Sequence, residues 1–335
     1  MRAMTLRRLA AVESRPLALE SVPAPDPGRH EVLVRVRCCG VCHTDLHTVE
    51  GEIVPPRLPL IPGHQVVGIV ERAGDGVSGL APGARVGLAW LGTTCGECRP
   101  CVRGDENLCE RARFNGFDID GGYAEYAVAH EEFAYPIPDG FPDEQAAPLL
   151  CAGIIGYRAV RLSGAGPGKR VGLYGFGASA HIAIQILLHW GCTVYVFSRG
   201  ESHRRLALEL GAAWAGRAGD TPPTLLDSSV VFAPAGEIVP HALAALDKGG
   251  TVALAGIYMT SIPDLDYETH LYNEKVLRSV TASTRSDGHE LLELAAKIPI
   301  RTRVSVFPLE EANEVLLALK RGEVDGAAVL RVAEG

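Results

Sequence analysis

The sequence predicts an α/β protein of two domains, one β-rich and one a doubly wound parallel sheet, and three observations carry that prediction. The chain has 335 residues, enough for two domains of ~150 residues each. From about Glu31 to Val128, short β-branched runs are cut by Gly and Pro, the pattern of tightly turned strands. Beyond about Leu149 the pattern becomes strand, glycine-rich turn, apolar helix and strand, the order of a βαβ unit on a parallel sheet. The expected division is residues 1–150 for the first domain, 151–280 for the second, and 281–335 as a return to the first.

In the first domain Val32–Val36, Gln65–Val70 and Tyr123–Val128 read as strands, several with the alternation of half-buried positions. Pro82-Gly83 and Gly121-Gly122 mark turns, so this part reads as a compact, partly open barrel. In the second, Arg170–Tyr174 is a strand and Gly175 to Ala180 a turn. An apolar helix then runs through Ile182, Ile184, Ile186 and Leu188 until Gly191 ends it. Thr193–Phe197 is the next strand, and Val230–Ala233 and Thr251–Ala255 extend the sheet. Val304–Pro308 and a helix near Glu310 to Lys320 belong to the returning segment.

Composition excludes several classes. Net charge is -8, and no basic stripe with interleaved aromatics is present, so no nucleic-acid partner is expected. No window approaches the ~18 apolar residues of a membrane helix, and the basic start Met1–Arg8 lacks a following apolar region and cleavage site. Nine cysteines, several spaced as metal thiolates, fit a reducing, cytoplasmic location.

Cys95, Cys98, Cys101 and Cys109 are spaced C-x2-C-x2-C-x7-C in one short loop, residues 95–109. Such spacing lets four thiolates converge on one tetrahedral zinc, and an all-sulfur site is closed and structural. The alternative is a disulfide pair. Gly175-Phe176-Gly177-Ala178-Ser179-Ala180 matches a dinucleotide fingerprint between strand and helix, alanine standing at the third glycine position. Gly175 permits the turn, while Gly177 and Ala178 bring backbone to the pyrophosphate at the helix N-terminus. The alternative is a turn that binds nothing. At the end of the second strand, where an acid would grip the ribose of NAD, the chain has Ser198 and Arg199, with Arg204 and Arg205 close behind. Arginine pairs with a 2′-phosphate, so NADP(H) is expected over NAD(H).

Cys42, His64 and Cys151 offer two sulfurs and an imidazole, the donor set of a catalytic zinc with one position open. Spacing alone does not assemble them, since a lone histidine or a buried cysteine is ordinarily core. Taken together, Gly40-Val41-Cys42-His43-Thr44-Asp45-Leu46-His47, Pro62-Gly63-His64, the four-cysteine loop, Cys151-Ala152-Gly153 and Tyr174-Gly175-Phe176-Gly177 resemble the zinc-dependent alcohol dehydrogenases of the medium-chain dehydrogenase/reductase superfamily. The resemblance spans essentially the whole chain. It implies a GroES-like catalytic domain, a Rossmann domain and an active cleft between them. It also implies two zincs per chain and small to medium primary alcohols or aldehydes as substrates.

On that resemblance Cys42, His64 and Cys151 hold the catalytic zinc, with Asp45 orienting the site. Thr44 takes the substrate proton and passes it, through the cofactor ribose, to His47. His43 and Arg285 meet the pyrophosphate, and Trp90 walls the substrate pocket. The bland reading makes His43, His47 and Arg285 surface charges, Trp90 core and Thr44 a capping residue. Two positions depart from the family: Gln65 stands where glutamate is usual, and Ile155 where threonine is often found. The glutamine leaves the metal surroundings more positive; the isoleucine removes a hydroxyl near the nicotinamide. Cys38, Cys39 and Cys192 read as packing residues. The competing functions are a polyol or cinnamyl-alcohol-type dehydrogenase on the same scaffold, and a non-enzymatic zinc- and nucleotide-binding sensor. A homodimer or homotetramer is expected.

Overall fold

The computed structural model describes residues 1–298, 300–324 and 326–333. It divides into two compact units: Met1–Cys151 with Ser283–Lys297 and the segment from Arg301 onward, and Ala152–Ala282 with Ile298–Ile300.

In the first unit β1 (Arg2–Leu6) pairs with β2 (Leu17–Ser21). The long β3 (Glu31–Val41) is followed at once by a helix, His43–Glu50. Then come β4 (Gln65–Ala73), β5 (Arg85–Leu88), β6 (Leu91–Thr93), β7 (Arg113–Phe114), β8 (Tyr126–His130) and β9 (Ala134–Pro136). Strand β3 is central, antiparallel to both β4 and β8. Its register against β4 shifts between Leu33 and Val34 and again between Val36 and Cys38; such bulges bend a strand and sharpen its twist. Val32, Val34, Val36, Val66 and Val70 fill the core, each at most 1% exposed. The first strand of the expected Tyr123–Val128 run is shifted: β8 begins at Tyr126, because Gly121, Gly122 and Tyr123 spend their N–H groups on the Ile61–Gly63 turn instead.

The second unit is a six-stranded parallel sheet: β10 (Arg170–Tyr174), β11 (Thr193–Phe197), β12 (Trp214–Gly216), β13 (Leu226–Val231), β14 (Leu246–Leu254) and β15 (Val276–Ser279). Their order is β12-β11-β10-β13-β14-β15. The helix Ala178–His189 follows β10 and packs on the helix Ala152–Leu162; Gly156 permits this, since a Cβ there would stand 3.1 Å from the Ser179 carbonyl oxygen. Back in the first unit, β16 (Val304–Pro308) lies parallel to β17 (Ala327–Arg331), which joins β3 antiparallel. The helix expected from Glu310 begins at Ala312, after a single 3-10 turn over Leu309–Glu311. No helix among the described residues is long and apolar enough to cross a membrane.

The parallel sheet is tied at one end by Arg170, whose backbone N–H and guanidinium bond Asp227 at 2.7–3.0 Å. Arg170 holds the Asp227 carboxyl down at about 2. A depressed carboxyl stabilises the fold above its unfolded value of ~3.9, and that contribution disappears as pH falls toward 2. Asp227→Asn is expected to cost about 1 kcal/mol at pH 7, allowing for the partial exposure of the pair. Denaturant unfolding should show the cost shrinking to nothing near pH 2; a cost independent of pH would contradict this.

Candidate active site and metal centres

The local sequence explains how Cys42 is presented. It caps the His43–Glu50 helix: its sulfur accepts from the Thr44 N–H (3.3 Å), while its own N–H donates to Asp45 Oδ2 (2.9 Å). This reciprocal arrangement is a capping box. The other Asp45 oxygen, Oδ1, faces His64 Nδ1 at 3.2 Å, which turns Nε2 toward the sulfurs. Cys42 Sγ lies 3.5 Å from His64 Nε2 and 4.0 Å from Cys151 Sγ. The three donor atoms fall within 4.8 Å of one another.

These separations suit a zinc ion. Tetrahedral bonds of about 2.3 Å to sulfur and 2.0 Å to nitrogen set donor atoms roughly 3.5–3.8 Å apart. Electrostatics agree: the adjacent Cys151 sulfur and burial both push the Cys42 thiol well above its usual value. Burial opposes charge on His64, yet Asp45 and Cys42 outweigh it and raise the imidazole to about 10. A shared cation resolves both conflicts by making sulfur anionic and imidazole neutral. The cluster contains three donors among the described residues, one fewer than a closed tetrahedral site.

The loop at 95–109 brings its four sulfurs together as well. Cys98–Cys101 are 3.4 Å apart, Cys95–Cys109 3.5 Å and Cys95–Cys101 3.9 Å. A disulfide requires about 2.05 Å, and none of the nine cysteines is joined in one. N–H groups of Cys98 and Arg111 point at Cys95 and Cys109 sulfurs, both at 3.3 Å. Backbone donation from Glu97 and Cys98 lowers the Cys95 thiol to about 6, whereas, against backbone donation from Cys101, the neighbouring sulfurs push Cys98 up to about 12, the conflict of crowded thiols that a shared cation relieves.

Around the trio, Trp90 sets its ring edge-on to His64 at 5.1 Å and stacks on Phe114 at 4.9 Å. Thr44 is buried and His43 exposed on the same helix as His47, whose ring lies 6.2 Å from that of His43. The His47 Nδ1 meets the Glu52 carboxylate, a partner the sequence reading did not include. Gln65 is 3% exposed, and its Nε2 has no hydrogen-bond partner among the described residues.

In the second unit β10 lies between β11 and β13, so connections leave it in opposite directions. Ligands bind at the carboxyl ends of strands beside such a switch point. Gly175 takes φ +87°, and a Cβ there would stand 2.9 Å from Ala233 N. By contrast, a Cβ on Gly177 would meet nothing within 4 Å, leaving the N-terminus of the Ala178–His189 helix open to an anion. Ser198, the residue after β11, is buried, and its N–H donates to Gly216 O at 2.8 Å. Arg199 is exposed, and Arg204 Nη1 donates to the carbonyls of both Ser198 and Arg199 at 2.8 Å.

Arg285, assigned to the pyrophosphate by the resemblance, is paired with two acids in the structure. Its guanidinium grips Glu106, inside the four-cysteine loop, at 2.6–3.0 Å, and Glu132 at 2.5 Å, while its carbon sits 4.9 Å over the Phe133 ring. The Glu106 side chain is 8% exposed. Removing the arginine strands that carboxylate, so Arg285→Ala is expected to destabilise the first unit by about 2–3 kcal/mol. Thermal unfolding together with metal release from the loop measures this; a normal melting point with only a raised cofactor KM would return Arg285 to the pyrophosphate.

Comparison with known proteins fits this geometry. Residues 28–139 match the family described as alcohol dehydrogenase GroES-like domain, and residues 180–297 match zinc-binding dehydrogenase. A probable alcohol dehydrogenase, AdhA, of Mycobacterium tuberculosis is 47% identical over 337 residues, covering 99% of this chain and 97% of the relative. Among solved structures, a cinnamyl alcohol dehydrogenase of Sorghum bicolor superposes with TM-score 0.89 at 27% identity, covering 98% of this chain and 97% of the other. CAD from Helicobacter pylori, solved as a complex with NADP(H), gives 0.87 at 25%, with 99% of both chains covered.

Proposed function

The chain belongs to the zinc-dependent alcohol dehydrogenases of the medium-chain superfamily, and from that premise we propose that it interconverts small to medium primary alcohols and aldehydes with NADP(H) as the favoured carrier. The observation that supports this reading most is the three-donor cluster of Cys42, His64 and Cys151, backed by Asp45. Zinc held there supplies Lewis-acid polarisation of the substrate oxygen. The nicotinamide cofactor takes or gives the hydride.

The protein's own task is then the proton. Thr44, two residues past Cys42 on the same helix, takes it from the substrate hydroxyl, and His47, three residues on, carries it away. Glu52 steadies the His47 ring through Nδ1. Trp90, held by Phe114, narrows the side of the site facing His64, which favours slender or planar substrates. The four cysteines of the 95–109 loop hold a second, structural zinc, Gly175, Gly177 and Ala178 seat the pyrophosphate with His43, and Ser198 and Arg199 receive the ribose phosphate.

The test is kcat/KM for a panel of aliphatic, polyol and cinnamyl substrates with each reduced or oxidised cofactor, beside metal analysis. Two zincs per chain and best turnover of short primary alcohols with NADP(H) are expected. Best turnover of cinnamaldehyde would move the chain to the cinnamyl-alcohol type that its structural relatives include. One zinc and no turnover would leave the sensor reading. The edge strand β15 carries an exposed Val276, and the segment before it exposes Tyr267 and Tyr272, which suits pairing between copies as a dimer or tetramer. Nine cysteines with no disulfide among them, six of them proposed as zinc ligands, suit the cytoplasm.

A further inference from the structure

The turn that delivers His64 is built on a second segment, residues 121–123. Gly121 N–H donates to Ile61 O at 2.7 Å, Gly122 N–H to Gly63 O at 2.9 Å, and Tyr123 N–H to Pro62 O at 3.0 Å. The two backbones approach closely: a Cβ on Gly121 would stand 1.9 Å from the Gly63 carbonyl oxygen. Gly63 itself takes φ +98°, and a Cβ there would lie 2.4 Å from Tyr123 Cδ1, so the tyrosine ring rests directly on the Gly63 backbone. Tyr123 is 0% exposed, and its hydroxyl meets no acceptor in full hydrogen-bond geometry among the described residues, Asp45 being the acceptor near it. After burial, the charge that most raises the phenol is Asp45, the carboxylate that already joins Cys42 N–H to His64 Nδ1. Asp45 is 2% exposed. A buried carboxylate has lone pairs to spare, and a buried phenol without an acceptor beside it is costly.

We propose that Tyr123 is a positioning residue for the metal ligand His64, its ring bracing the Pro62–His64 turn and its hydroxyl donating to Asp45. The proposal rests on the reading of Cys42, His64 and Cys151 as a metal site. Donation from the phenol fixes the rotation of the carboxylate. The carboxylate in turn fixes the imidazole tautomer, leaving Nε2 as the ligand atom. Outer partners of this kind change metal affinity by about 10–100-fold.

The experiment uses the full-length chain, freed of metal at the trio and titrated with Co2+ against a competing chelator. Co–thiolate absorption reports the trio, and zinc retained by the four-cysteine loop is counted separately. Tyr123→Phe keeps the ring and removes only the hydroxyl, so about tenfold or more weaker Co2+ binding is expected with loop zinc unchanged. Asp45→Asn should weaken binding too, and the double substitution should be no weaker than Asp45→Asn alone. Wild-type affinity in Tyr123→Phe, additive losses in the double variant, or an equal drop in the unfolding temperature of metal-free and Co2+-loaded protein would each overturn the proposal. A wild-type trio that takes up no Co2+ would instead overturn the metal reading beneath it.

Discussion

Replacement of Cys151 by alanine is expected to cut alcohol oxidation by about 10^3-fold or more, lower the zinc count from the proposed two to one per chain, and leave folding nearly intact. The choice of residue follows from the geometry of the trio. Cys42 also caps the His43–Glu50 helix, and His64 also answers the buried Asp45. Changing either would mix a metal effect with a lost cap or a stranded carboxylate, worth about 1–3 kcal/mol. Among the described residues the Cys151 side chain makes no comparable bond beyond its contact with Cys42, so its loss isolates the metal. Lewis-acid polarisation contributes several kcal/mol to the transition state, and each 1.36 kcal/mol is tenfold in rate. The matched control is Cys98→Ala. There the expected result is inverse: zinc leaves the 95–109 loop, unfolding occurs earlier, and the variant that remains folded keeps much of its turnover. Activity within tenfold of wild type in Cys151→Ala would remove the proposed chemistry.

What the sequence revealed and what it concealed divide along range of contact. The strand at Thr193–Phe197, the glycine turn before Ala178 and the four-cysteine loop all depend on neighbours a few residues apart, so their periodicity and spacing are visible. Cys42 and Cys151 are separated by 109 positions and Arg285 and Glu106 by 179. No local pattern links such residues, and the trio could be named only through resemblance. The same resemblance assigns Arg285 to a pyrophosphate but carries no information about its pairing with the glutamate inside the loop. Gly121-Gly122 illustrates a subtler limit. The pair does mark a turn, but its donors serve the backbone around Gly63, which delays β8 by three residues relative to the alternation that begins at Tyr123. Likewise Glu52 looks like an ordinary solvated acid until the helix end folds it back onto His47.

The second large effect concerns the cofactor: Arg199→Asp is expected to turn the proposed preference for NADPH into one for NADH. The end of β11 offers no carboxylate to a ribose hydroxyl. Ser198 is buried there, and no acidic side chain pairs with Arg199 among the described residues. Arg204 does not compete for the ligand in this geometry, because its guanidinium is engaged with the carbonyls of Ser198 and Arg199. It instead holds the turn so that Arg199 is the side chain presented to solvent. A charge-assisted bond to a 2′-phosphate is worth about 1.5–3 kcal/mol, or roughly 10- to 150-fold in affinity. Aspartate removes that bond, repels the phosphate and provides the acceptor that NAD-specific sites use, so the ratio of kcat/KM values should swing by about 10^2-fold or more. Salt supplies an independent check. An exposed ion pair is screened over ~10 Å at 0.1 M, so the wild-type preference for NADPH should narrow as ionic strength rises, while the Arg199→Asp preference depends on salt less. Arg204→Ala should weaken the preference without reversing it, since it loosens the turn but leaves the positive charge of Arg199 in place. Equal kcat/KM for NADH and NADPH in the wild-type protein at low salt would show that Arg199 is only a solvated charge, and that the end of β11 does not choose between the two cofactors.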